Sequence, residues 1–240
     1  RPVRAFREAE VSRIPWDDEG VELVIEATGA HTAGRTAEGH LSDGVRHVVL
    51  SSNAEEADIT VCYGVNHREL RPDRHRLISN ASCTTNCLAV VGRVLLREWG
   101  VERALLNTVH CFNNSQRLTD APNTDPRRAR SAAVNMVPTT TGASSAIGLV
   151  LPELGERLDG FAVRVPAAQV SLIDLVAQVG RDVTVDEVND AFRAAAEEEG
   201  GRVLAVSDDA LVSTDLVGDT HSAVVDLPLT QVAGHRLVRV

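Results

Sequence analysis

The feature that most constrains the fold is a series of short apolar runs in the first eighty residues, separated by helical or irregular spacers. The runs are Val21–Ala27, Arg46–Ser51, Asp58–Tyr63 and Arg76–Ser79, with a weak helix expected over His31–Gly44. Short buried strands that alternate with helical spacers are typical of a mostly parallel sheet. The sequence therefore predicts an α/β domain over residues 1–82.

A different pattern begins at Ser82. Residues 82–100 carry apolar side chains at spacings of three and four and end at Gly100, which predicts a long helix closed by a glycine. The other expected elements are one strand at 101–112 and one at 160–179, helices at 143–154 and 184–199, and an alternating, antiparallel tail over 202–240. These elements predict a second, α+β domain over 83–240 with a mixed or antiparallel sheet.

Charge and composition exclude several classes of protein. With 34 acidic and 24 basic residues, the chain has a formal net charge of −10, so it has no general attraction to nucleic acid or to an anionic membrane. It contains no lysine, which excludes a lysine Schiff base. No apolar run approaches the roughly 20 residues of a membrane-spanning helix. Four irregularly spaced cysteines do not form a disulfide framework, which favours a reduced, cytoplasmic enzyme.

Cys83 is the first candidate catalytic residue, because it lies where a loop enters the long predicted helix. Backbone amides and the positive end of the helix dipole stabilise a thiolate at such a position. The neighbouring hydroxyls of Ser82 and Thr84 suit anion binding. The local pattern is equally consistent with a small buried cysteine among N-cap residues.

His110 is the second candidate, at the end of the strand that precedes an irregular segment over 113–138. A loop of that length inside a compact domain is usually functional. His110 is either a packed histidine or the base that activates Cys83. A metal site built from Cys83, Cys87, His110 and Cys111 is a further alternative, but the spacing is not that of a zinc motif, and no metal is predicted.

The segment Asn80–Cys87 resembles the active-site signature of the phosphorylating glyceraldehyde-3-phosphate dehydrogenases. Other segments follow in the order of that family: Glu26–Gly29, Tyr63–Asn66, Thr108–His110, Gln116–Arg117, Arg127–Arg130, Pro138–Ala143, Arg164–Pro166 and Leu211–Ser213. The resemblance extends over essentially the whole chain. It implies an incomplete Rossmann-type NAD(P)-binding domain over 1–82, followed by the catalytic domain over 83–240.

The resemblance also implies a reaction. Cys83 attacks the aldehyde, His110 takes the hydroxyl proton as hydride leaves to NAD or NADP, and inorganic phosphate cleaves the thioester to give 1,3-bisphosphoglycerate. The residues implied for substrate and phosphate are Ser82, Thr84, Asn113, Arg128, Thr141, Gly142 and Arg164, and those for the cofactor are Thr28, Ser51 and Arg7. The implied assembly is a homotetramer of the full-length protein.

Several positions depart from the family pattern. Asn113 replaces a threonine, Ser115 replaces the aspartate of Asn-Asp-Gln, and Ala167–Gln169 replaces Thr-Pro-Asn. The Gly-x-Gly-x-x-Gly turn and the acidic ribose ligand that follows it are absent. We therefore expect the chain to be the central and catalytic part of a longer protein, and to be inactive alone. The sequence does not distinguish NAD from NADP.

Two alternative functions remain open at this point. Tyr63–Asn66 and His221–Asp226 lean towards erythrose-4-phosphate dehydrogenase, whereas Pro138–Ala143 and Asp120–Pro122 favour the glyceraldehyde enzyme. A non-catalytic relative used for binding or regulation is the other alternative. The presence of both a candidate nucleophile and a candidate base argues against it.

Overall fold

The structure is a computed structural model that describes residues 3–31 and 35–240. The chain divides into two compact units, Arg1–Cys83 and Thr84–Val240. None of the helices in these described ranges is long and apolar enough to cross a membrane.

The first unit contains a parallel sheet, as the apolar runs predict. Its strands are β1 (Leu23–Glu26), β2 (His47–Leu50), β3 (Ile59–Thr60) and β4 (Leu77–Ser79), in the order β1-β2-β4-β3. All three strand pairs are parallel. The core of this unit contains Val24, Val48, Leu50 and Leu77.

Two predictions for this unit need correction. The run Val21–Ala27 is not buried on both sides, because Leu23 is 51% exposed and Ile25 is 67% exposed on β1, an edge strand of the sheet. The helix expected over His31–Gly44 is only a 3₁₀ turn at Thr36–His40, and residues 32–34 lie outside the described part of the chain. The weak apolar periodicity of that segment does not sustain a longer helix.

The long helix of the second pattern is α1 (Cys83–Trp99), within one residue of its predicted bounds at each end. One face of α1 is buried through Leu88, Val91 and Leu95. Gly100 ends the helix with a φ of +67°, and its amide donates to the Leu96 carbonyl at 2.9 Å. A glycine adopts this left-handed conformation without steric cost, so the predicted C-cap is confirmed.

The second unit has eight strands and three further helices. The strands are β5 (Val101–Cys111), β6 (Val137–Thr139), β7 (Leu158–Val165), β8 (Leu172–Val179), β9 (Leu204–Ser207), β10 (Ala223–Asp226), β11 (Gln231–Ala233) and β12 (Leu237–Arg239). The helices are α2 (Ala143–Val150), α3 (Pro152–Gly155) and α4 (Val185–Ala196). The main sheet has the order β11-β12-β8-β5-β7-β6. It is mixed, because β5 is parallel to β7 and antiparallel to β8.

Three details of the second unit differ from the sequence prediction. The helix expected at 143–154 breaks at Leu151, because Pro152 cannot continue it. The region 160–179 holds two strands rather than one. In the tail, β11 and β12 are antiparallel as predicted, but β9 and β10 are parallel. The connection over residues 208–222 is long enough to return the chain in the same direction.

Candidate active site

Cys83 is the first residue of α1, and its side chain is exposed. Ser82 before it is half-buried, and Thr84 after it is buried. The thiol is therefore not packed in a core, which removes the alternative of a buried structural cysteine. The sulfur is accessible to a small molecule at the first turn of a long helix.

The other three cysteines have different surroundings. Cys62 is fully buried, and this burial raises the pKa of its thiol to about 12. Cys87 and Cys111 are half-buried, and Ser171 Oγ lies 3.5 Å from Cys111 Sγ. Within residues 3–31 and 35–240, no three His, Cys, Asp or Glu side chains are grouped so that they could hold a metal ion.

His110 lies near the end of β5, opposite Arg164 of β7. Its Nδ1 is 2.7 Å from the Cys111 carbonyl oxygen and 2.8 Å from Nη1 of Arg164. The same Nη1 donates to the Cys111 carbonyl at 3.0 Å. The carbonyl calls for a proton on Nδ1, whereas the guanidinium, which only donates, calls for a lone pair there. His110 Nδ1, Arg164 Nη1 and the Cys111 carbonyl oxygen therefore lie within hydrogen-bonding distance of one another at the end of β5.

The surroundings of His110 favour the neutral ring. Burial lowers its pKa, and the charge of Arg164 acts in the same direction, while the hydrogen bond to the Cys111 carbonyl opposes them. The net shift is downward, so the imidazole is unprotonated near neutral pH and can accept a proton.

Arg128 is the second arginine, besides Arg164, among the candidate phosphate ligands. Its Nε donates to Thr139 Oγ1 at 3.0 Å and lies 3.4 Å from the Asp125 carboxylate. This contact orients the guanidinium along one edge. A guanidinium held in this way has further N–H donors on its other edge, as a bidentate phosphate ligand requires.

Thr141 and Gly142 lie at the start of α2. Thr141 Oγ1 accepts from the Ala143 amide at 3.2 Å, and Gly142 is the N-cap residue. Asn113 lies just after β5, and its Oδ1 accepts from the Ser115 amide at 3.0 Å and from Ser115 Oγ at 2.7 Å. Asn113 and Ser115, which both depart from the family pattern, are thus hydrogen-bonded to each other. The sequence does not reveal this link.

Thr28 and Ser51 are exposed at the carboxyl ends of the parallel strands. Thr28 follows β1, Ser51 follows β2, and the Ser51 amide donates to the Glu26 carbonyl at 3.0 Å. Dinucleotides bind at the carboxyl ends of parallel strands, so these residues fit a dinucleotide site. Arg7 is exposed in the irregular segment that precedes the first 3₁₀ turn.

The sequence assigns no role to Glu26, His40 or Ser171, although Glu26 lies in one of the segments that carry the resemblance. Glu26 and His40 are buried and lie 3.0 Å apart, next to Thr28. Ser171 Oγ accepts from the Cys111 amide at 3.2 Å, where the pairing of β5 with β8 has ended. Glu26 could have been noticed in the sequence, because it is a charged residue at an inward position of an apolar strand. His40 and Ser171 could not, because their contacts with Glu26 and Cys111 join distant parts of the chain.

Comparison with known proteins agrees with the resemblance. Residues 82–240 match the family model described as glyceraldehyde 3-phosphate dehydrogenase, C-terminal domain. The chain is 47% identical over 240 residues to glyceraldehyde-3-phosphate dehydrogenase 1 of Bacillus cereus, covering all of this chain and 72% of that protein.

Two other relatives give the same result. Identity to glyceraldehyde-3-phosphate dehydrogenase of Kitasatospora aureofaciens is 47%, over 99% of this chain and 71% of that protein. Identity to glyceraldehyde-3-phosphate dehydrogenase of Pseudomonas aeruginosa is 49%, over 95% of this chain and 67% of that protein. A family match over 82–240 and near-half identity along the whole chain lead to one conclusion: this chain belongs to the glyceraldehyde-3-phosphate dehydrogenase family.

Proposed function

We propose that this chain carries out the phosphorylating oxidation of glyceraldehyde 3-phosphate to 1,3-bisphosphoglycerate, with NAD or NADP as the hydride acceptor. The observation that carries the proposal is the 47% identity, along the whole chain, to a protein named for this activity. The exposed thiol of Cys83 at a helix start and the neutral imidazole of His110 supply a nucleophile and a base of the kind that the reaction needs.

In the proposed reaction, the Cys83 thiolate adds to the aldehyde carbon and forms a hemithioacetal. His110 accepts the hydroxyl proton at Nε2 while the hydride on the same carbon departs. The dinucleotide, when bound, supplies the two-electron acceptor. The carbon is then the carbonyl of a thioester on Cys83. Inorganic phosphate attacks this carbonyl, the thiolate leaves, and the acyl phosphate is released.

The phosphate groups need donors, and this chain offers two kinds. Arg164 and Arg128 supply guanidinium N–H groups for bidentate contacts. Hydroxyl, amide and side-chain donors come from Ser82, Thr84, Asn113, Thr141 and Gly142. Arg164 also contacts His110, so the residue that we assign to phosphate binding adjoins the residue that we assign to proton transfer.

We assign the cofactor to the carboxyl edge of the parallel sheet, with Thr28 and Ser51 as ligands and Arg7 on the adenine side. The chain lies in a family whose reaction uses a nicotinamide dinucleotide, and the choice between NAD and NADP belongs to the experiment below. A reduced thiol nucleophile and four free cysteines support a cytoplasmic location.

We further propose that the protein assembles with copies of itself, as a homotetramer. One face of the main sheet of the second unit exposes large apolar side chains on neighbouring strands: Leu105 on β5, Phe161 on β7, Leu172 on β8 and Leu237 on β12. Exposed apolar patches of this kind mark association surfaces. Phe161→Asp is expected to reduce the molar mass in light scattering. An unchanged mass would exclude this face from the assembly.

The activity is tested on the complete gene product with both aldehydes, both dinucleotides and inorganic phosphate. Reduction of the dinucleotide with glyceraldehyde 3-phosphate, dependent on phosphate, is the expected result, and a preference for erythrose 4-phosphate would reassign the substrate. Cys83→Ser is expected to remove turnover, whereas Cys62→Ser serves as the matched control for loss of a cysteine. Limiting iodoacetamide followed by peptide mapping should label Cys83 first, and earlier labelling of Cys87 or Cys111 would contradict its role as nucleophile.

A further inference from the structure

A chain of hydrogen bonds is buried behind the carboxyl end of β1. The side chains of Glu26 and His40 are only 4% and 5% exposed, and His40 Nε2 lies 3.0 Å from Glu26 Oε2. On the other side of the ring, Trp16 Nε1 lies 3.2 Å from His40 Nδ1. The proposed reaction gives none of these three residues a role.

Donor capacity fixes the direction of each bond. The indole N–H of Trp16 can only donate, so His40 Nδ1 accepts. The neutral His40 ring then carries its proton on Nε2 and donates it to the Glu26 carboxylate. Burial opposes the ionisation of Glu26, but hydrogen bonds from Thr28 and His40 together lower the pKa of its carboxyl group. The chain therefore ends in a buried carboxylate that accepts.

The second oxygen of this carboxylate builds the turn that follows β1. Glu26 Oε1 accepts from the Thr28 amide at 2.7 Å and from the Thr28 hydroxyl at 2.5 Å. The Thr28 oxygen in turn accepts from the Ala30 amide at 3.1 Å. Gly29, between them, has a φ of +74°, a conformation that glycine adopts readily.

We propose that Glu26 and His40 are positioning residues for the dinucleotide site, holding the Thr28–Gly29 turn in the geometry that receives the cofactor. Because the Thr28 hydroxyl gives its proton to Glu26, it offers a ligand only lone pairs. Its partner is therefore a donor, such as a sugar hydroxyl of the dinucleotide. The inference rests on the proposed function in one respect, which is that it takes the carboxyl edge of this sheet as the cofactor site.

The test measures dinucleotide affinity by calorimetry on the complete gene product, independently of turnover. Glu26→Gln keeps the size of the side chain but removes the charge, and we expect it to weaken binding about tenfold, the loss of one charge-assisted hydrogen bond. His47→Gln is the matched control, since His47 lies on β2 and its ring contacts only the Pro72 carbonyl among the contacts described. We expect this control to leave the affinity unchanged.

A double-mutant cycle separates positioning from general stabilisation. Thr28→Val should weaken binding, Thr28→Ser should restore it, and Glu26→Gln should add little in the Thr28→Val background, because both changes remove the same turn. Fully additive losses would mean that Glu26 acts on the fold rather than on Thr28. Unchanged affinity in Glu26→Gln and Thr28→Val would also overturn the proposal.

Hydrogen exchange in the absence of cofactor gives a second reading that does not depend on binding. The Thr28 amide should exchange faster in Glu26→Gln than in the unmodified protein, and equal rates would contradict the hydrogen-bond chain. Suppose that the unmodified protein binds the dinucleotide but oxidises neither aldehyde, and that Glu26→Gln weakens this binding. That result would refute the proposed function and leave the positioning role intact. Failure of the unmodified protein to bind either dinucleotide would overturn both.

Discussion

Two histidines of the second unit have opposite electrostatic surroundings. At the end of β5, His110 is half-buried beside the Arg164 guanidinium, and burial and that charge lower its pKa. In the turn at 218–222, His221 Nδ1 lies 2.7 Å from the Asp219 carboxylate and Nε2 lies 3.0 Å from the Gly201 carbonyl. The hydrogen bond to Asp219 and that to Gly201 raise the pKa of His221.

The difference separates the histidine to which we assign proton transfer from one whose contacts join two parts of the chain. Both nitrogens of His221 face acceptors, so the charged ring satisfies every contact and joins two turns. His110 is half-buried and has a cation as its close neighbour, so burial first and the Arg164 charge second disfavour its charged form, and its neutral form can take a proton. A base that works near neutral pH needs the second arrangement. The residue type alone does not distinguish the two sites, because the pKa of each ring depends on its burial and on its neighbours.

The largest effect is expected from His110→Asn in the complete gene product. Loss of a general base slows turnover by about 10²–10⁴-fold. We expect kcat to fall within that range, and the pH at which iodoacetamide alkylates Cys83 to rise. His235→Asn, at an exposed histidine of the same unit, is the control and should leave kcat unchanged. An unaltered alkylation profile in His110→Asn would show that His110 does not act on the thiol.

A smaller effect is expected from Arg164→Leu, which removes the cation from the comparison. We expect KM for the phosphorylated aldehyde to rise by about tenfold or more, corresponding to about 1.4 kcal/mol for each tenfold, with little change for unphosphorylated glyceraldehyde. Because the Arg164 charge lowers the pKa of His110, its removal should also raise that pKa, measured by NMR titration. Equal losses on both aldehydes would indicate damage to the sheet instead.

The sequence predicted those parts of the fold whose determinants are local. The parallel sheet follows from its apolar runs, and α1 follows from its periodicity and Gly100. The helix expected at 184–199 is α4, which begins at a capping box in which Thr184 and Glu187 bond reciprocally. The parallel pairing of β9 with β10 was not predicted, because alternation specifies a strand but not the direction of its neighbour. Strand direction depends on the path of the connection.

The candidate site divides in the same way. Cys83 and His110 were predicted as candidates from the sequence, because the start of a helix and the end of a strand depend on local sequence patterns. The sequence could not predict the surroundings of each histidine. Arg164 contacts His110 from the neighbouring strand β7, and the Gly201 carbonyl contacts His221 from a part of the chain 20 residues away. The Glu26–His40 pair likewise depends on a contact between residues 14 positions apart. Pairwise contacts of this kind arise only from the folded chain.

The smallest effect concerns stability, and it tests the His221 half of the comparison. Because the pKa of His221 is raised in the folded state, the imidazolium contributes stability that is fully present below the unfolded pKa of about 6.5. That contribution is lost as pH rises through the higher folded value. His221→Gln should therefore lower the free energy of unfolding at pH 6 by up to about 1 kcal/mol, the range of a partly exposed ion pair.

The same variant should have a smaller effect at pH 9, because the contribution of the imidazolium declines as pH rises through the folded pKa. Asp219→Asn should reproduce this pH dependence, and the double variant should lose little more than either single one, because both remove the same ion pair. The free energies come from urea unfolding at the two pH values. A loss for His221→Gln that is as large at pH 9 as at pH 6 would mean that the ring acts through packing and neutral hydrogen bonds, and the contrast with His110 would then concern burial rather than charge.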